Sequence, residues 1–167
     1  SRSLKRQIGL LIHRGGKVEH IIVGDHAQIV IPQLSQVRSS GGRLRGLRLV
    51  HTHLSGEEIS EEDLMDLLFL RLDLLSVIQV ADNGLPERIQ SAHLLPGDEQ
   101  EAAWSFLKPI HPAAAYDPID ELIQEIEHGF TSQTAAREVG GGADRAILVS
   151  VSTEPKTIAS HSLSELA

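Results

Sequence analysis

Three residues that can bind a metal fall within a short span of the chain, in the stretch HTHLSGEEISEED over residues 51–63. Residues two apart on a strand point to the same face, so His51 and His53 can aim at one point. Ser60 followed by Asp63 has the spacing of a capping box that opens a helix. If the loop between them folds back, Asp63 in the first turn of that helix stands beside the strand end. Two imidazoles and a carboxylate with an open fourth position form the ligand set of a catalytic zinc site. The plainer alternative is a strand end next to a helix cap, in which Ser60 and Asp63 contribute ~1 kcal/mol to the helix and no metal is involved.

The elements that must position these residues can be read from the apolar pattern. The runs 7–13 (QIGLLIH) and 17–24 (KVEHIIVG) flank Arg14-Gly15-Gly16 and predict a β-hairpin. AQIVIP, 27–32, is a third predicted strand, and GLRLVHTH, 46–53, a fourth that carries the histidine pair. From Ser60 to about Val80, Leu64, Leu67, Leu68, Leu72 and Leu75 recur at helical spacing. The tail of that run, LLSVIQVAD, also fits a buried strand. ERIQSAHLLP, 87–96, predicts another strand, WSFLKPIHP an extended segment, and Asp117-Pro118 the start of a second helix with Leu122, Ile123, Ile126 and Phe130 as its apolar stripe. After the glycines at 140–142, AILVSVS and HSLSELA read as the strand and helix that open a further domain, with the boundary near 140.

Composition narrows the function classes. The 167 residues are 41% hydrophobic and only 3% aromatic, so Leu, Ile, Val and Ala must build the core. A net charge of −8 argues against a surface devoted to nucleic acid. There is no cysteine, which removes disulfides and thiolate zinc sites and fits a reducing compartment. No apolar run is long enough to span a bilayer, and a cytoplasmic, non-membrane protein is expected. The chain starts without Met and stops inside a helical pattern, which reads as a piece of a longer protein.

The metal-type stretch resembles the JAMM/MPN+ metalloprotease motif, and more closely its RadC version, in which Ser-Gly follows in the loop. The resemblance implies an α/β fold, a mixed sheet flanked by helices with a cytidine deaminase-like architecture. It makes His51, His53 and Asp63 zinc ligands and Ser60 the residue that supports a reaction intermediate. Leu54 stands where the motif has proline, and six residues rather than seven separate His53 from Ser60. The active families also carry a glutamate just before the first core strand. The matching stretch here, Lys5-Arg6-Gln7, has no carboxylate; Glu19, Glu57 and Glu58 are the candidate substitutes.

A second resemblance covers nearly the whole chain. RQIGLLIHRGGKVEHIIVGD, GRLRGLRLVHTHLSGEEISEEDL, LLFLRLDLL and AHLLP, in that order, resemble the N-terminal extension of long-form HflX, a ribosome-associated GTPase. DRAILVSVS and SLSELA resemble the start of the HflX core N-terminal domain. The resemblance implies a JAMM/RadC-like domain over 1–139 and the beginning of the next domain over 140–167. It also implies a parent protein that binds GTP and magnesium and docks on the large ribosomal subunit. No Gly-Lys-Ser/Thr occurs in these residues, so they hold no P-loop and the GTP site is expected beyond Ala167.

Arg38, Arg43, Arg45 and Arg48 lie in a span, 27–56, without an acidic residue, and could contact ribosomal RNA phosphates or form a solvated loop. His13, His20 and His26 are expected at the surface. His93, His111, His128 and His161 show no ligand spacing, and Trp104 and Phe106 are expected to pack. Glu57, Glu58, Glu61 and Glu62 favour the positive N-terminus of the helix.

Overall fold

The structure, a computed structural model, describes residues 1–34, 44–96, 103–114 and 119–139. The chain divides into two compact units, Ser1–Ala136 and Arg137–Ala167, and the sheet belongs to the first. The architecture is α/β. Strands β1 (Ile8–His13), β2 (Val18–Val23), β3 (Leu47–His53), β4 (Leu74–Val80), β5 (Pro86–Leu94) and β6 (Trp104–Phe106) form one mixed sheet in the order β2-β1-β3-β4-β5-β6. Helix α1 spans Glu61–Phe69 and α2 spans Ile119–Val139. Every neighbouring pair is antiparallel except β3 and β4. Parallel strands need a crossover, and α1 supplies it.

The β1–β2 hairpin forms where Arg14-Gly15-Gly16 predicts it, with Gly16 at φ +87°, a left-handed conformation open to glycine at little cost. Strand β3 alternates buried and half-buried positions along its length. Leu47 and Leu49 enter the core, and His51 and His53 continue the same stripe at the strand's end. Strand β4 is buried on both faces, as the middle of a sheet requires. Leu11, Leu49, Leu75, Val77 and Ala92 of the sheet pack with Leu64 and Leu67 of α1 and with Ile123 and Ile126 of α2. Full burial of each such aliphatic side chain stabilises by roughly 1.5–3 kcal/mol.

Three sequence expectations are corrected. The helix does not run to Val80. It ends at Leu70, where Arg71 takes φ +50°, Arg71 N–H donates to Leu68 O at 3.2 Å and Leu72 N–H donates to Leu67 O at 3.1 Å. This is a Schellman closure, usually signalled by glycine. Arg71 fills the left-handed position instead, and its guanidinium lies 4.8 Å from the centre of the Phe130 ring. Leu74 and Leu75 then belong to β4, the strand reading of LLSVIQVAD.

Residues 27–32 do not form a strand. Both edges of β1 are already taken, by β2 and β3, so this segment cannot join the ladder there. Asp25 Oδ1 instead accepts from Ala27 N (2.7 Å) and Gln28 N (2.9 Å), and the turn sends the chain across the face of the sheet. Ile29 packs into the core above Gly9. Phe106 is a third correction: it is 49% exposed on an edge strand, whereas Trp104 packs against the core. The cap at Asp117-Pro118, Arg38, Arg43 and everything from 140 onward lie outside the described residues.

Candidate metal centre

Strand β3 delivers His51 and His53 to one face, and the N-terminal turn of α1 delivers Asp63 to the same point. All three are buried, at 1%, 6% and 8% exposure. Asp63 is fixed by a reciprocal cap. Its backbone N–H donates to Ser60 Oγ (3.2 Å), and its Oδ2 accepts from Ser60 N (2.8 Å) and from Ser60 Oγ (2.8 Å). The capping box read from sequence is therefore present, and it also orients a carboxylate toward the histidines.

His51 Nε2 lies 3.1 Å from Asp63 Oδ1, and His53 Nε2 lies 3.5 Å from Asp63 Oδ2. The first distance is short enough for a hydrogen bond, yet neither His51 nitrogen makes one of acceptable geometry. The contact is thus a close approach rather than an aligned N–H···O bond. One atom from each of the three side chains falls within 4.8 Å of the others, a spacing that could hold a metal ion. A buried imidazole with neither nitrogen in an aligned hydrogen bond is costly in a purely structural site, and a cation among these donors would relieve that cost. The residues present fit a metal.

The surroundings fix His53 more firmly than His51. His53 Nδ1 stands 3.1 Å from Glu57 O, and with the proton on Nδ1 that carbonyl accepts it, leaving the Nε2 lone pair for a ligand. Gln79 Nε2 donates to the same carbonyl at 3.2 Å, and Ile59 N–H donates to Gln90 Oε1 at 2.9 Å. Two carboxamides of β4 and β5 thus fasten the loop that carries Glu57. Sequence reading missed both, because a glutamine in a strand has no spacing signature.

The electrostatics agree with an ionised Asp63. Burial pushes its carboxyl up, but His51 beside it and the N–H and O–H of Ser60 outweigh that and hold it below the usual carboxylate range. Asp66, one turn further along α1, is pushed up by burial and by the charges of Asp63 and Glu62. A cleft of about 190 Å³ opens beside the triad, lined among others by Gln7, Glu57, Glu58, Ser60, Glu62 and Asp66.

The structure also locates the residues considered as proton acceptors. Gln7 lines the cleft, 3% exposed; its Nε2 donates to Ala27 O at 2.8 Å and its Oε1 has no partner. A carboxamide can accept a hydrogen bond but cannot take the proton. Glu57 and Glu58 reach the cleft wall, with Glu57 Oε2 held by Ser55 N–H at 3.0 Å. Burial raises the Glu57 carboxyl, but the backbone N–H groups of Glu57 and Ser55 outweigh this and keep it low. Glu19 sits on β2 at the edge of the sheet and does not line the cleft. Leu54, at the motif's proline position, is buried, and its carbonyl accepts from Arg2 Nη1.

Of the basic segment, Arg48 is ion-paired with Asp120 of α2, and Arg45 is half-buried. His13, His20 and His26 are exposed, as expected. Among the described residues no helix is long and apolar enough to cross a membrane. Compared with protein-family models, curated proteins and solved structures, the chain matches none.

Proposed function

We propose that this chain is the N-terminal region of an HflX-type, ribosome-associated GTPase. Its first unit is a JAMM/RadC-like domain that binds zinc through His51, His53 and Asp63 and serves docking or regulation rather than hydrolysis. The observation that carries the non-hydrolytic reading is Gln7. At the position where the resemblance places the general base, the cleft presents the carboxamide of Gln7, and loss of a general base typically costs about 10²–10⁴ in rate. The ordered sequence blocks support the HflX assignment. The mixed sheet with α1 crossing between parallel β3 and β4 agrees with the JAMM/RadC architecture. The GTP and magnesium site belongs to the parent protein beyond these residues, and the protein acts in the cytoplasm.

Sedimentation of the full-length parent with purified large ribosomal subunits, in the presence of a non-hydrolysable GTP analogue, tests the assignment. Co-sedimentation that weakens when the first unit is removed is the expected result. A protein that neither binds guanine nucleotide nor pellets with the subunit is not of this type. Elemental analysis of chelator-free protein should return about one zinc per chain, lost in His51→Ala.

A second reading, a zinc-dependent hydrolase of peptide or isopeptide bonds, draws on Ser60 and Glu58 at the cleft. Turnover of an isopeptide substrate by zinc-loaded protein, abolished by Glu58→Gln, would establish it in place of the docking role.

A further inference from the structure

The loop from Leu54 to Ile59 joins the two elements that carry the ligands. It leaves β3 at His53 and reaches α1 at Ser60, the cap that holds Asp63. Two glutamines from neighbouring strands fasten it, one near each ligand. The sheet register explains how they reach it. His53 lies opposite Gln79 of β4, while His51 lies opposite Val77, which in turn lies opposite Gln90 of β5. Directly opposed residues share a face, so both carboxamides stand on the histidines' side of the sheet.

The two carboxamides work through opposite ends. Gln79, which is buried, donates from Nε2 to Glu57 O. That carbonyl has a second lone pair, and His53 Nδ1 stands 3.1 Å from it. The competing acceptor for the imidazole proton is Asp63 Oδ2, 3.5 Å from His53 Nε2, which already takes two hydrogen bonds from Ser60. The nearer carbonyl therefore keeps the proton on Nδ1 and leaves the Nε2 lone pair to the site. Gln90 instead accepts, through Oε1, from Ile59 N–H. Ile59 immediately precedes Ser60, so this bond fixes the entry to the cap that aims Asp63. A carbonyl cannot donate and a backbone N–H cannot accept, so neither carboxamide can be turned round. His51 has no aligned partner on either nitrogen.

We infer that Gln79 and Gln90 are positioning residues of the metal centre, Gln79 acting on His53 through the Glu57 carbonyl and Gln90 on Asp63 through Ile59 and the Ser60 cap. His53 and Asp63 are set before a metal arrives, and His51 takes its tautomer from the metal. The inference rests on the metal reading above, and it names the groups on which the site's affinity depends.

Three measurements on the whole chain test this: zinc affinity by competition with a chromophoric chelator, urea melts, and imidazole nitrogen NMR of the metal-free protein. The NMR is recorded at pH ~8, where a free imidazole is neutral, and reports which ring nitrogen carries the proton. Gln79→Met should weaken zinc binding about tenfold, the lower end of what losing a ligand-orienting group costs, and should move the His53 proton off Nδ1. Gln90→Met should weaken zinc to a similar extent with the His53 spectrum unchanged. Gln90→Glu keeps an acceptor for Ile59 N–H and should retain the parent's affinity. Ser91→Ala breaks the buried Ser76–Ser91 hydroxyl contact (2.7 Å) beside Gln90; it should lower stability and leave zinc and His53 alone. Affinity that follows stability across all four variants, or that stays at the parent value in both Met variants, would overturn the inference. So would a metal-free parent with the His53 proton on Nε2. A parent that takes up no zinc sinks the metal reading instead; the imidazole spectra, recorded without metal, then decide on Gln79 alone whether the loop presets the ligand.

Discussion

Gly9 and His51 are partners across the β1–β3 ladder, and the bare α-carbon of Gly9 leaves the space in which Ile29 packs beside the imidazole. A Cβ at residue 9 would stand 3.0 Å from Ile29 Cδ1 and 3.5 Å from His51 Cβ. The wall of the metal cleft therefore depends on a residue that carries no chemistry of its own. Gly9→Val should destabilise the fold by about 1–3 kcal/mol through overpacking. It should also weaken zinc binding, because Ile29 cannot retreat without opening the cleft. Urea denaturation and zinc titration measure the two effects; unchanged values for both would mean that the 27–34 segment yields freely.

The low position of the Asp63 carboxyl sets a pH dependence. Unfolded aspartate titrates near about 3.9, and the folded carboxyl binds its proton less tightly. The unfolded state thus takes up more protons as pH falls. The stability that Asp63 confers is complete above the unfolded value and drains away as pH drops through the folded one. Metal-free Asp63→Asn should show a flatter stability profile below pH ~4. Ser60→Ala, which removes the cap hydroxyl, should cost ~1 kcal/mol at neutral pH. Matched acid titrations of the parent and the two variants would reveal an absent effect.

Asp66 carries the opposite sign. Burial, with Asp63 and Glu62 nearby, raises its carboxyl, so the folded state binds the proton more tightly. Stability is then lost as pH rises from the unfolded value through the folded one. Asp66→Asn should stabilise the chain at neutral pH, by less than about 1 kcal/mol because the group is only partly buried and solvent screens it. A lower melting temperature in this variant would contradict the assignment.

Arg14 ties the hairpin to α2. Its Nε donates to Asp73 Oδ2 at 2.7 Å, and its two terminal nitrogens donate to Glu127 at 3.0 Å each. Asp73 is fully buried, with its other oxygen accepting from Gly46 N at 2.9 Å. Arg14→Met should leave that carboxylate without its cation and cost roughly 3–5 kcal/mol. Glu127→Gln, at a half-exposed site, should cost no more than about 1 kcal/mol. Similar losses from both substitutions in urea melts would show that Asp73 is not the centre of the network.

The parts of this fold that were legible in the sequence depend on local pattern. The hairpin at Arg14-Gly15-Gly16 announces itself through glycine, and β3 through its alternation. The Ser60–Asp63 cap is visible because a side chain and a backbone three residues apart must meet. The run over 60–80 was ambiguous for a physical reason: leucines at helical spacing merge into the leucines of a strand buried on both faces. The break falls at Arg71, where a left-handed residue without glycine leaves no signal.

The histidine pair and the aspartate could be nominated from spacing alone, because β-strand period and helix capping are both local rules. Their convergence within 4.8 Å required α1 to fold back over β3, which depends on Leu64 and Leu67 reaching the same core as Leu49. Gln7, Gln79 and Gln90 owe their places to the sheet, which brings distant strands side by side. Residues 27–32 have the composition of a strand; they line the cleft beside the triad because the edges of β1 were already occupied. Sequence determined which groups were able to act, through chemistry carried by each residue and its near neighbours. Tertiary structure decided which of them meet, because only packing between separated segments selects among the places each one might occupy.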